Sequence, residues 1–266
     1  MILSYIAYKT KEKIKIDGKL DERAWELAPR SPRFVDIITG EPALYDTRSA
    51  VLWDEEYLYV GYWVEEPFVH ATLKERDSLL FHENNVELFI DGGDTYYEFE
   101  INALNTIYEV FFIWQDAYKR NGKYDVPEFD LHERDVYTFG GNHDRQGYHF
   151  WQGTHPRGLR WAFRDWDFPG LKTAVHVDGK INDPTHIDRG WTVELAFPWK
   201  GMQWLSNGRS LPPRAGDEWR FQFARYEKLL GLNGAKKNVG WAWDVVGSDD
   251  NHRPEKFTPI TFSHEY

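Results

Sequence analysis

Asn85-Val86-Glu87-Leu88-Phe89-Ile90-Asp91-Gly92-Gly93-Asp94-Thr95-Tyr96-Tyr97-Glu98-Phe99-Glu100-Ile101-Asn102 is the stretch that decides the fold. Val86, Leu88 and Ile90 alternate with Glu87, Phe89 and Asp91, and a Gly-Gly-Asp turn follows. Tyr97, Phe99 and Ile101 then alternate with Glu98, Glu100 and Asn102. A period of two is the period of a strand, and the turn between the runs makes them antiparallel neighbours. A further turn leads into the apolar run 107–114, so residues 86–114 read as a three-strand meander. Toward the N-terminus, 49–64 reads as a β-hairpin around Asp54-Glu55-Glu56. Lys13-Ile14-Lys15-Ile16 reads as a strand that stops at Asp17-Gly18. Asp21 reads as the N-cap of a short helix through Ala28, ended by Pro29. Toward the C-terminus, strand alternation returns at 173–177, 191–198, 219–226 and 256–262. The stretch from about 115 to 170 has no sustained period and reads as a long loop insertion, a type of segment that is often functional. The expectation is an all-β chain: an antiparallel β-sandwich of jelly-roll or immunoglobulin-like kind, with a short N-terminal helix. No composition break or repeat divides it, so 1–266 reads as one domain.

Composition narrows the chemistry. The 266 residues carry 43 acidic and 32 basic side chains, a formal net charge of −11. Such a chain lacks the basic surface that nonspecific nucleic-acid or anionic-membrane binding requires. No cysteine is present, which excludes disulfides, thiolate nucleophiles, iron–sulfur clusters and cysteine zinc sites. No run approaches the ~20 apolar residues of a membrane span. The apolar N-terminal stretch is shorter than a signal-peptide core, and its charges follow rather than precede it. Aromatic residues make up 17% of the chain. They suit both half-buried strands and the flat faces of sugars, flavins and bases, and the count alone does not choose.

Glu87, Glu98, Glu100 and Glu194 each sit between apolar neighbours on a strand. The solvated face of a sheet is the favoured reading for most of them; a polar ligand face is the sharper one. A glycosidase would need two carboxylates of different proton affinity across a cleft, and no spacing singles out a pair. His143, His149 and His155 recur in the insertion without the i, i+4 spacing of a helical metal site, and read as loop histidines. Asp91, Asp94 and Asp116 read as turn residues, since the calcium-loop pattern is absent. Gly231-Leu232-Asn233-Gly234-Ala235-Lys236-Lys237 lacks phosphate-loop spacing, and no dinucleotide fingerprint or nucleophile elbow occurs.

A family resemblance rests on an ordered set of blocks. These are Ile16-Asp17-Gly18-Lys19-Leu20-Asp21-Glu22-Arg23-Ala24-Trp25, then Leu52-Trp53-Asp54-Glu55-Glu56-Tyr57-Leu58-Tyr59-Val60, then the 85–91 and 97–102 runs quoted above. Gly190-Trp191-Thr192-Val193-Glu194-Leu195-Ala196-Phe197-Pro198-Trp199 follows, then Gly216-Asp217-Glu218-Trp219-Arg220, Trp241-Ala242-Trp243 and His252-Arg253-Pro254-Glu255. The set resembles the family 9 carbohydrate-binding-module-like domains of the DOMON-like superfamily. The resemblance implies a sugar-binding β-sandwich that works beside secreted glycan-degrading enzymes, hence an extracytoplasmic setting. It also implies structural calcium, whose ligands the motifs do not place.

In sugar-binding members two tryptophans sandwich a terminal sugar while charged and amide side chains bind its hydroxyls. The first aromatic place falls on Phe81, with Glu87 matching the glutamate of the following block. The second falls on Trp241 or Trp243. Glu100 and Asn102 match the Phe-Arg-x-Asn block, with an acid where the sugar binders have arginine. The implied ligand-binding set is therefore Phe81, Glu87, Glu100, Asn102, Trp241 and Trp243. The implied partner is a mono- or oligosaccharide or a polysaccharide end, and the implied function is noncatalytic carbohydrate binding. Two alternatives stand beside it: a glycan hydrolase with its cleft in the insertion, and a haem-binding DOMON-like domain in which Met202, the sole internal methionine, is a candidate axial ligand. Trp25, Trp53, Trp63, Trp191 and Trp219 read as scaffold. Trp151, Trp161 and Trp166 of the insertion read equally as packing or as ligand contacts.

Overall fold

The computed structural model describes residues 4–140, 155–230 and 236–264. His143, His149, Trp151 and residues 231–235 of the Gly-rich stretch lie outside them. In chain order come β1 (Tyr5–Lys9), α1 (Arg23–Leu27), β2 (Val35–Asp36), β3 (Thr47–Trp53), β4 (Tyr57–Glu65), β5 (Asn85–Asp91), β6 (Thr95–Ile101) and β7 (Ile107–Trp114). β8 (Val136–Phe139), β9 (Arg160–Phe163), β10 (Lys172–Asp178), β11 (Gly190–Pro198), β12 (Glu218–Leu230), β13 (Lys236–Ala242) and β14 (Thr258–Ser263) complete the order. The hydrogen-bonded path runs β10-β11-β4-β3-β1-β14-β12-β5-β6-β7-β9-β8, with β13 and β2 attached beside β12.

This path folds over on itself, so that one half packs face to face on the other as a β-sandwich. Tyr62 of β4 meets Phe223 of β12 at 6.1 Å, and Phe197 of β11 meets Phe99 of β6 at 5.7 Å. The Tyr62 hydroxyl donates to the Glu87 carbonyl across the two layers at 2.7 Å. The inward residues of the meander, Val86, Leu88, Ile90, Tyr97, Phe99 and Ile101, all belong to this central core, as the alternation requires.

The hairpin and the meander form as expected, and several local readings are corrected. Residues 13–16 pair with no strand. Their neighbourhood is held by side chains instead: Glu22 accepts the Lys15 N–H, and Glu194 accepts the Asp17 and Gly18 N–H groups at 2.8 and 3.0 Å. The strand in this region is β1, which pairs in parallel with both β14 and β3, so the sheet is mixed rather than purely antiparallel. The N-cap position of α1 is Glu22 rather than Asp21, its side chain makes no capping bond, and the Ala24 N–H is taken by the Glu12 carboxylate instead. The 115–170 segment is not simply a loop, because β8 and β9 extend the sheet beyond β7.

Both outer faces of the sandwich are partly covered. On the β3–β4–β11 side, Trp25 and Ala24 of α1 and Leu20 ahead of it pack against Ala50, Leu52, Tyr59 and Ala196. Gly61 permits this approach, since a Cβ there would come within 3.0–3.3 Å of Leu20 and Trp25. Trp25 Nε1 donates to Glu194 at 2.9 Å, so Glu194 binds the loop and the helix together rather than facing solvent.

Candidate functional site

Strand alternation puts Asn85 and Glu87 of β5, Tyr96, Glu98 and Glu100 of β6, and Gln222 of β12 on the outer face of the other layer. Glu87 and Glu100 lie directly opposite each other across the β5–β6 pair. Like charges in that register repel. The expected solvated face does not occur: Glu87, Glu98 and Glu100 are only 3%, 6% and 1% exposed. The 248–252 segment lies over them. Asn251 Nδ2 donates to Glu87 at 2.9 Å, and Gln222 Nε2 donates to the Asn251 amide oxygen at 3.2 Å. His252 Nε2 stands 3.5 Å from Glu98, and its Nδ1 is 3.1 Å from the Tyr96 hydroxyl, which accepts from Arg160 Nε at 3.0 Å. Asn85 Nδ2 donates to Glu100 at 3.1 Å.

Burial sets the proton state of this face. It raises Glu87 from 4.5 to about 8, opposed by the Asn251 hydrogen bond and reinforced by Asp250 and Asp249. Burial, and then the charge of Glu87, push Glu98 and Glu100 well above the usual carboxylate range. Burial lowers His252 from 6.5 to about 4. Near neutral pH the face is therefore built of protonated carboxyls, amides and a neutral imidazole. Each carboxyl then both donates and accepts, which is the hydrogen-bonding habit of a sugar hydroxyl. Two buried amide oxygens on this face, Asn85 Oδ1 and Gln222 Oε1, accept no hydrogen bond among the described residues. Unpaired buried acceptors are costly and call for a donor.

The structure brings four of the six expected site residues to this side. Phe81, 38% exposed on the single turn Leu80–His82, sits edge-on to Tyr108 at 5.8 Å and forms the rim. Asn102 is committed to structure. Its amide donates to Glu83 and to the Leu73 carbonyl, and its oxygen accepts from the Leu104 and Thr106 N–H groups. Trp241 and Trp243 do not join the others. The register of β13 sets Trp241 beside Arg225 on the inward side, where Arg225 lies 5.0 Å from its ring. Trp243 packs on Phe223 and Tyr5. Both are core residues, 3% and 2% exposed.

Of the insertion tryptophans, Trp166 is buried against Tyr97 and Phe111 and donates to Glu128, while Trp161 is half-buried at the edge of the core. His155 is placed against Trp114 and 2.9 Å from Glu255. Met202 is fully buried in the core. Among the described residues, no group of three or more His, Asp or Glu side chains is arranged to hold a metal ion, and no helix is long and apolar enough to cross a membrane. Sequence reasoning missed Asn251, Gln222 and Asn85 as parts of this face. Gln222 and Asn85 carry a signal in their strand parity, whereas nothing in the loop sequence announces that Asn251 folds over Glu87.

No protein-family model matches the chain, and none of the curated proteins matches it. Solved structures do. A "putative carbohydrate-binding protein" from Bacteroides uniformis superposes with a TM-score of 0.60 at 14% identity, covering 99% of this chain and 100% of that one. A carbohydrate binding module of family 9 from Caldicellulosiruptor kristjanssonii, in complex with glucose, matches with a TM-score of 0.51 at 13% identity over 98% and 96% of the two chains. The module in complex with cellotriose matches with a TM-score of 0.50 at 14% identity over 99% and 94%. The fold of this chain is thus that of the family 9 carbohydrate-binding modules, over essentially its whole length.

Proposed function

We propose that the protein binds carbohydrate without transforming it, holding a sugar through hydroxyl hydrogen bonds at the Glu87–Glu98–Glu100 face with Phe81 at the rim. The observation that carries this reading is the buried, hydrogen-bond-rich outer face with its two unpaired amide oxygens. It lies on a fold whose solved examples include complexes with glucose and cellotriose. A neutral saccharide supplies hydroxyl donors for those two oxygens, and Phe81 offers an apolar ring surface beside them. The 248–252 segment closes the face, so binding on this reading requires that segment to give way while Asn251 exchanges its bond to Glu87.

Isothermal titration calorimetry with glucose, cellotriose and a panel of neutral and acidic oligosaccharides tests the reading. We expect binding to at least one neutral ligand, weakened about tenfold in Phe81→Ala or Glu87→Gln. No heat with any glycan while the protein remains folded would overturn it. Release of new reducing ends from a bound oligosaccharide would overturn the noncatalytic part.

A further inference from the structure

An open cavity lies on the opposite layer. Helix α1 covers the middle of the β3–β4–β11 face and then stops, leaving one cross-strand row beyond it. That row is Arg48, Trp63, Thr192 and His176, each aligned with the next across the β3–β4, β4–β11 and β11–β10 pairs. Three strand spacings make the row about 14 Å long. It floors a cavity of about 390 Å³, within the size range of small-molecule sites. Trp63, expected from the sequence to be scaffold, is only half-buried here, with its edge on Trp25 at 6.2 Å. The Arg30 guanidinium lies over its ring at 3.9 Å.

The charges of the cavity are unevenly committed. Arg48 bonds to Asp46 at 3.2 Å, and Arg189 stands 3.5 Å from Asp178. The Glu65 carboxylate accepts the Asp46 N–H at 2.7 Å. Among the described residues, the Arg30 and Lys19 side chains have no hydrogen bond and no ion pair. Two cations are therefore left facing a cavity with an aromatic floor, on a protein whose net charge is −11. Partial burial, and next the neighbouring Arg48, lower the Arg30 pKa while Asp46 raises it, and a further anion between the two guanidiniums would offset their repulsion.

We propose that this cavity is a second saccharide site, selective for an acidic sugar whose anionic group pairs with Arg30 and Lys19 while its ring lies along the Trp63–Thr192 row. The planar guanidinium suits a bidentate carboxylate or sulfate, and the indole suits the apolar side of a sugar ring once Arg30 turns off its face to meet the anion. The site does not depend on the Glu87 face, which belongs to the other layer.

Calorimetry on the full chain with trigalacturonate, a sulfated disaccharide, cellotriose and inorganic sulfate tests it. We expect heat with trigalacturonate or the sulfated disaccharide, and these two arms tell which anion is preferred. Affinity should fall as salt rises from 50 to 300 mM. Arg30→Gln, an exposed substitution, should weaken binding about tenfold or more with no change in melting temperature. Trp63→Ala should weaken it similarly, with its folding checked by circular dichroism. Glu87→Gln should leave it unchanged, which separates this site from the face proposed above. No heat with either acidic saccharide would overturn the proposal. So would binding that Arg30→Gln does not weaken, cellotriose binding as tightly as trigalacturonate and lost in Arg30→Gln, or inorganic sulfate binding as tightly as the saccharides, which would mean an adventitious ion only.

Discussion

Glutamine at position 87 should reshape the pH dependence of stability. In the folded protein Glu87 keeps its proton up to about pH 8, because burial beneath the 248–252 segment disfavours its charged form; its ordinary value is 4.5. Between those values the folded state binds more proton at this site than the unfolded state does. Its contribution to stability is fully present below about pH 4.5 and is lost as pH rises toward 8, with a slope approaching about 1.4 kcal/mol per pH unit. Integrated from pH 6 to 8, Glu87 alone removes roughly 2 kcal/mol. Glu98 and Glu100 are shifted in the same direction. His252 acts with the opposite sign at lower pH: held near 4 against an ordinary 6.5, it weakens the fold as pH falls through that window. Urea denaturation from pH 5 to 9 on the wild type and Glu87→Gln isolates the Glu87 contribution, because the difference between the two curves cancels His252. The variant should gain about 2 kcal/mol on the wild type between pH 6 and 8. Parallel curves would refute the placement of Glu87 in a buried acidic face.

Three further outcomes follow from the scaffold. Arg225 lies buried between the layers, 2.8 Å from Glu227 and 3.7 Å from Glu66, and bonds Thr47 and the Glu65 carbonyl. Arg225→Met should cost about 3–5 kcal/mol by urea denaturation, and adding Glu227→Gln should recover part of it, since the loss is that of buried charge without its partner. Gly190 has φ +136°, and a Cβ there would overlap the Val64 carbonyl oxygen. Gly190→Ala should therefore destabilise by roughly 3 kcal/mol, read as a lower melting temperature. Trp241→Phe should cost about 1–2 kcal/mol of stability while leaving saccharide affinity, measured by calorimetry, unchanged.

The meander and the hairpin were legible because alternation and turn chemistry act within a few residues, as in the 85–102 run. The same alternation correctly grouped Glu87, Glu98 and Glu100 on one side of the sheet. It did not say that the side is covered, and the solvated-face reading failed there and at Glu194. The covers come from afar: Asn251 reaches Glu87 across 164 positions, and Trp25 reaches Glu194 across 169. The parallel pairing of β1 was equally invisible, since its partners are β3 and the C-terminal β14. The family resemblance named Phe81, Glu87, Glu100, Trp241 and Trp243 together, and the structure sets the first three on the outer side of one layer while the register of β13 turns the two tryptophans inward. Trp63, read as scaffold, instead floors the open cavity because α1 ends before covering it. The sequence by itself determined the hairpin, the meander, their turns and which residues of those strands share a face. The tertiary structure alone decided which faces are wet, because burial depends on segments remote in the chain whose arrival no local period encodes.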